Sequence, residues 1–306
     1  MKPGRRRNPN QFRRRAGSDA DNALTSKLDP SPGADQCWIR ASATDCTLLV
    51  RGCSRGQRGN NAVIVGIMQP YFFPYIGYFQ LMKAVDVFVF YDDVQYSRGG
   101  WVNRNRILSG GHAHWITFPV LGAPLHFSIN ERMYVDDLRL RGKVINIVDA
   151  NYRRAPFFDD VFDLFSRHMR RSASGVAEFN QHSLIDIARV LGIGCDFVVS
   201  SKMIKNDSLR GQERVVEICR QFRAESYINA IGGTELYHTE RFAREGIDLR
   251  FHKARPTPCP QFGHDFVPFL SIIDVMMFNG AEGAAKLLCN YDLLTKEEIL
   301  ALRGTD

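Results

Sequence analysis

The stretch from Asp196 to His252 changes its hydrophobic period four times. "DFVVSS" (196–201), "SYINAI" (226–231) and "DLRFH" (248–252) are short apolar runs of strand length. Between them, "GQERVVEICRQF" (211–222) and "ELYHTERFAREG" (235–246) carry helical spacing, with Gly246 placed to cap the second helix. Such alternation leaves few architectures open. Strands joined through helices of this length pair in parallel, with right-handed crossovers. A parallel sheet needs cover on both faces, so the class is α/β.

Three more strands are expected upstream: "VIVGI" (63–67), "VDVFVFY" (85–91) and "HWITFPV" (114–120), the last after a turn at Gly110-Gly111. Residues 137–150, 157–171 and 175–191 have helical spacing, with Leu184, Ile187, Ala188 and Leu191 as one apolar stripe. A last helical region covers 268–302. The expectation is one α/β domain over 63–306, with a mainly parallel sheet, Rossmann-like layers and a helical insertion near 137–191. Residues 1–62 show no sustained apolar period and read as a disordered basic leader. An upstream start codon, with the fold opening near Val63, is the favoured reading of that leader.

Charge divides the same way. Residues 1–62 hold 12 Lys+Arg against 5 Asp+Glu, which accounts for the whole net charge of +7, and the remaining 28 of each sign cancel. The body therefore has no electrostatic case for binding nucleic acid. No CxxC pair occurs, so a zinc ribbon or redox pair is not expected; Cys219 and Cys289 read as small core residues. Reduced thiols fit a cytoplasmic location. "FVPFLSIIDVMMF" (266–278) is too short for a bilayer span and is broken by Asp274. His112, His114 and His264 make only a weak zinc candidate, and no H-E-x-x-H or G-x-S-x-G motif is present.

In open parallel sheets ligands sit beyond the carboxyl ends of the strands. Useful residues should follow strands. After the first come Gln69, Pro70 and Tyr71, in a loop with six aromatic rings between Tyr71 and Phe79; a helix starting near Gly77 would offer free N–H groups to an anion. The rings of Phe72, Phe73 and Phe79 have a second reading, as plugs of the core. After the second strand come Asp92 and Asp93, candidate general base or ligands of a divalent metal, with adjacent side chains on opposite faces. Gln95, Trp101, Asn103, Arg104 and Arg106 follow, the guanidiniums suited to phosphate. Lys202 and Ser208 follow the fourth strand. Asn229 and the pair Gly232-Gly233 follow the fifth, where the glycines permit positive φ and close approach to a ligand.

Taken together, "MQPYFFPYIGYFQL", "DDVQYSRGGWVNRNRI", "SLRGQERVVEIC", "YINAIGG-ELY" and "LSIIDVMMFN" resemble the WbqC-like protein family over about residues 63–295. Ala230 stands where that pattern has Pro. The resemblance implies a cytoplasmic step in O-antigen or other surface-polysaccharide biosynthesis, on a nucleotide-linked sugar. It names no catalytic residue and leaves the cofactor unknown. Group or acyl transfer to an amino sugar is the first expectation. A non-catalytic accessory protein that binds the sugar or another pathway enzyme is the second. The loop is also similar to the nucleotidyltransferase entry loop, but Tyr75 and Tyr78 replace both histidines of its H-x-G-H.

Overall fold

A computed structural model describes residues 62–171, 175–263 and 265–303. The leader expectation falls outside the described residues apart from Ala62, and His264 lies outside them too. In chain order the elements are β1 (Val63–Met68), α1 (Ile76–Ala84), β2 (Val87–Phe90), β3 (Arg104–Ser109) and β4 (His112–Thr117). Then come α2 (Leu138–Tyr152), α3 (Phe158–Arg170), α4 (Val176–Val190) and β5 (Asp196–Val199). The chain continues through α5 (Gly211–Gln221), β6 (Ala224–Ala230), α6 (Thr239–Ala243) and β7 (Asp248–Ala254). It closes with α7 (Ile272–Lys286), β8 (Tyr291–Leu294) and α8 (Lys296–Arg303).

Six strands form one sheet in the order β5-β2-β1-β6-β7-β8. The first five are mutually parallel and β8 runs antiparallel to β7. Numbered along the chain, that order is 3-2-1-4-5-6, the doubly wound arrangement, and it reverses between β1 and β6. The expected Rossmann-like class is therefore the observed one. The inner strands are apolar on both faces because both faces are covered. Phe88, Phe90, Phe197 and Ile228 enter the core beneath α1, α4 and α7. Val65, Val87, Val89, Tyr227 and Leu249 enter the opposite core, with Val215 and Val216 of α5 and Phe242 of α6. Each such side chain contributes about 1.5–3 kcal/mol on burial.

Three elements depart from expectation. Arg104–Ser109, given no element from the sequence, pairs antiparallel with β4 as a separate hairpin whose inner face holds Asn105, Ile107 and Ile116. The helix expected over 235–246 shrinks to a 3-10 segment at Ile231–Leu236 and the short α6, with Gly246 at φ +72° ending it. Leu236 is exposed, so that turn has no apolar stripe to hold it. The last region breaks at Gly280, whose φ of +65° is closed to most side chains, and then yields β8. Cys219 is buried as expected, whereas Cys289 is exposed.

Candidate functional site

Register collects the strand ends at one edge. Met68 pairs with Phe90 and Phe90 with Val199, while Gly66 pairs with Ile228, which sets Met68 beside Ala230. Ala230 pairs with His252. The residues after β5, β2, β1 and β6 thus stand in a row. At about 4.8 Å per strand its ends are about 14 Å apart. Gln69 and Tyr71, Asp92 and Asp93, Lys202, and Gly232-Gly233 all follow these strands directly.

The aromatic loop is held by its carbonyls. Asn180 Nδ2 donates to the Pro70 oxygen at 2.9 Å, and Asn105 Nδ2 donates to those of Phe72 and Phe73 at 3.1 and 2.9 Å. Ser271 Oγ donates to the Phe73 oxygen at 2.7 Å, and the Ile272 N–H to that of Pro74 at 2.8 Å. These bonds hold Phe73 at φ +41°, an uncommon conformation for a bulky side chain. Phe72, Phe73, Tyr78 and Phe79 are core, whereas Tyr71 and Tyr75 are half-buried. The Gln69 carbonyl accepts from the Tyr78 hydroxyl at 2.8 Å. The Tyr75 ring lies over Gly77, where a Cβ would fall 2.3 Å from it, so this ring covers the start of α1.

The twin acids part, as alternation requires. Asp92 is buried, and its carboxylate accepts from the Ser201 N–H at 2.9 Å and the Ser201 hydroxyl at 2.7 Å. Burial raises its pKa above the ordinary carboxylate value, against these two bonds. Asp93 Oδ2 takes Lys205 at 2.7 Å and Arg214 at 2.6 Å, while its Oδ1 is buried without a hydrogen-bond partner. Lys205 and Arg214 were not among the expected site residues; their lone signal was basic charge just past β5 and on the buried side of α5.

The residues after Asp93 separate onto two faces. Asn103 Oδ1 accepts from the Tyr96 hydroxyl at 2.8 Å, and its amide donates to the Phe118 carbonyl at 3.0 Å. Trp101 and Trp115 are exposed with ring centroids 5.2 Å apart. Arg104 lies 4.3 Å from the Trp115 ring centre and bonds the Gly99 and Gly100 carbonyls. Arg106 lies 5.5 Å from the Trp101 centre and donates to the Phe269 carbonyl at 3.4 Å, while its Nε is buried with no hydrogen-bond partner. Gln95 donates to the Leu125 carbonyl, Lys202 is exposed, and Ser208 donates to Asn206. Asn229 is buried against Gly233, where a Cβ would sit 2.0 Å from its amide nitrogen; Gly232 faces open space. Neither glycine has positive φ, so the space, rather than the turn freedom expected, accounts for Gly233.

A further, small cleft, with room of about 40 Å³, lies between the start of α1, the chain leaving β7 and the first turn of α7. Tyr75, Gln80, Thr257, Cys259, Phe269 and Asp274 are among its walls. Asp274 is buried and accepts from Tyr152 at 2.8 Å and Gln261 at 2.6 Å. Burial pushes its pKa up to about 6. The sequence flagged Asp274 only as an interruption in an apolar run. Among the described residues no group of three or more His, Cys, Asp or Glu is placed to hold a metal, and no helix is long and apolar enough to cross a membrane.

A family model described as the WbqC-like protein family matches residues 69–286. An uncharacterized protein of Mycobacterium tuberculosis, Rv1507c, is 28% identical over 221 residues, covering 71% of this chain and 94% of that protein. No solved structure matches.

Proposed function

We propose, from the premise that this chain belongs to the WbqC-like protein family, that it binds a nucleotide-linked sugar at the carboxyl edge of its sheet and catalyses group transfer there. The reaction we favour is acylation of an amino sugar in a cytoplasmic step of surface-polysaccharide (O-antigen) assembly. One observation carries the reading: the strand order reverses between β1 and β6, where doubly wound sheets open their ligand crevice, and Gln69, Tyr71, Asn229 and Gly232 stand at that point. Arg106 gives one N–H to the Phe269 carbonyl, and its guanidinium is a group of the kind that suits phosphate oxygen.

Asp92 is the favoured base. A carboxylate with raised pKa is better matched to taking a proton near neutrality. It would remove the proton from the attacking amine as the new amide bond forms and the acyl carrier leaves. The Ser201 N–H and hydroxyl would hold the carboxylate in place meanwhile. The Arg214–Asp93–Lys205 cluster supports the second reading, a non-catalytic sugar-binding accessory protein, since it occupies one of the two acids.

A thermal-shift series with UDP- and dTDP-sugars tests binding. Saturation at 100 times Kd adds about 2.7 kcal/mol, or roughly 5–10 °C in Tm for a domain of this size. No shift with any nucleotide-sugar defeats the proposal. If binding occurs, Asp92→Asn distinguishes the readings: an enzyme keeps affinity and loses turnover, whereas an accessory protein keeps its assistance intact.

A further inference from the structure

We infer that the pocket between residues 97–100 and residues 120–123 is a binding site for a phosphate or diphosphate group, gripped by Arg132 at its floor and Arg98 at its rim.

Three arginines are buried among the described residues: Arg132, Arg141 and Arg214. Arg141 pairs with Asp136 at 2.9 Å and Arg214 with Asp93 at 2.6 Å, as a buried cation requires. Arg132 has no such acid among the described residues. Its neighbour Glu131 is turned to Ser128, accepting from that N–H at 2.8 Å. The Arg132 guanidinium lies 5.0 Å from the Tyr96 ring centre and 5.8 Å from that of Phe127, and its Nη2 donates to the Pro124 carbonyl at 2.6 Å. Nε is sealed and reaches nothing. Nη1 also lacks a protein partner, but it is not sealed, and Arg132 is part of the pocket wall. A cation with an open N–H on a cavity and no counter-ion calls for an anion.

The pocket has room of about 210 Å³, against about 30 Å³ per water in the liquid, so a diphosphate fits. Its walls include Tyr96, Arg98, Asn103, Val120 and Leu121, and no acid. Arg98 stands exposed on a turn that is held in place. The Gly100 N–H donates to the Ser97 carbonyl at 3.3 Å, and the Arg104 guanidinium bonds the Gly99 and Gly100 carbonyls. The Tyr96 hydroxyl gives its proton to Asn103 Oδ1 at 2.8 Å, and the Asn103 amide is taken by the Phe118 carbonyl. The guanidiniums are therefore the side-chain donors left for a ligand. Burial raises the pKa of the Tyr96 hydroxyl, and Arg132, Arg104 and Arg98 all pull against that rise, so three positive charges act at this point. A carboxylate would answer one of them; a phosphate, with a charge of about −1.5 to −2, answers two. Val120 and Leu121 beside the charges exclude part of the water that would screen them.

The backbone sets this pocket beside the strand ends. The Asn130 N–H donates to the Asp92 carbonyl and that of Ile129 to the Val94 carbonyl, both at 2.9 Å, so the turn leading into Arg132 runs along the chain leaving β2. Arg106 takes no part in the walls. The inference does not depend on a nucleotide-linked sugar, since any phosphorylated ligand fulfils it.

The test uses the full chain with diphosphate, phosphate, acetate, UDP and uridine as separate probes, read by calorimetry at fixed ionic strength. The basic residues 1–62 attract anions too, so variants decide the outcome. Diphosphate should bind, phosphate should bind more weakly, and acetate and uridine should not bind. Arg98→Ala should weaken diphosphate about tenfold and leave the Tm of the free protein unchanged, because Arg98 is exposed. Arg132→Met should weaken it at least tenfold while the Tm of the free protein holds or rises, since no buried acid is left unpaired. Arg139→Ala, exposed and outside the pocket, should bind as the unsubstituted chain does. Absence of diphosphate binding, or equal weakening in Arg98→Ala and Arg139→Ala, would overturn the inference. If Arg132→Met is too unstable to assay, Arg98→Ala decides alone. UDP that competes with diphosphate assigns the pocket to a nucleotide's phosphates. Diphosphate bound without competition from UDP assigns it to a ligand without a nucleotide, and then the nucleotide-sugar proposal loses support while the pocket stands.

Discussion

Replacing Asp93 by alanine tests what the second of the twin acids does. Read as a general base or metal ligand, its loss would abolish activity and leave the fold alone. The geometry implies the opposite emphasis. Lys205 and Arg214 converge on one carboxylate oxygen at 2.7 and 2.6 Å, with side-chain exposures of 3% and 8%. Asp93→Ala leaves both cations facing each other. Asp207, 3.8 Å from Arg214 and 90% exposed, offers little in compensation. Removing one partner of a buried pair costs about 3–5 kcal/mol, and we expect a loss near 3–4 kcal/mol here because Lys205 also bonds the Ser200 carbonyl. Urea unfolding at pH 7, with an unchanged m-value, gives the number directly. Combining Asp93→Ala with Lys205→Met and Arg214→Met should recover most of it, since an apolar replacement for a whole buried ion cluster is often neutral. A single-variant loss under 1 kcal/mol, or no recovery in the triple variant, refutes the assignment of Asp93 to a structural ion cluster.

Other expectations are as definite. Gly233→Ala should destabilise by about 1–3 kcal/mol and weaken any ligand reaching Asn229, whereas Gly232→Ala, in open space, should stay within about 0.5 kcal/mol by the same urea assay. Asn105→Ala should cost about 2–4 kcal/mol, because the Phe72 carbonyl loses its side-chain donor while that of Phe73 keeps Ser271. In acid, two buried groups oppose each other. His252, buried with neither ring nitrogen bonded, has its pKa pushed down to about 4 by burial, so its share of stability is lost as pH falls from 6.5 toward 4. Asp274, raised to about 6, contributes stability at low pH that is lost as pH rises through 6. Each amounts to about 3 kcal/mol at 1.36 kcal/mol per unit. Relative to the unsubstituted chain, His252→Leu should therefore make stability fall more steeply from pH 4 to 6, and Asp274→Asn should make it rise; parallel profiles in all three would exclude both assignments.

Much of the architecture was written locally. Apolar runs alternating with helical spacing after Asp196 dictate a parallel sheet, and a parallel sheet dictates that Gln69, Asp92 and Gly232 share its carboxyl edge. Gly246 is legible as a stop because its role depends only on its own backbone. The β3–β4 hairpin was not, since Arg104, Asn105 and Arg106 look like a loop until Asn105 is seen to turn inward and bond Phe72 and Phe73. Neighbouring acids were visible, but which counter-ions meet Asp93 depends on Lys205 and Arg214, more than a hundred residues away. The α7 cleft is the extreme case: Gln80 meets Leu287 and Asn290, and Tyr152 meets Asp274, through contacts no short window of sequence contains. Periodicity and turn chemistry act over a few residues and survive in the linear order. Hydrogen-bond satisfaction and desolvation belong to whatever atoms the folded chain brings within about 3 Å, so only the assembled molecule reveals which acid is neutralised and which guanidinium is left without one.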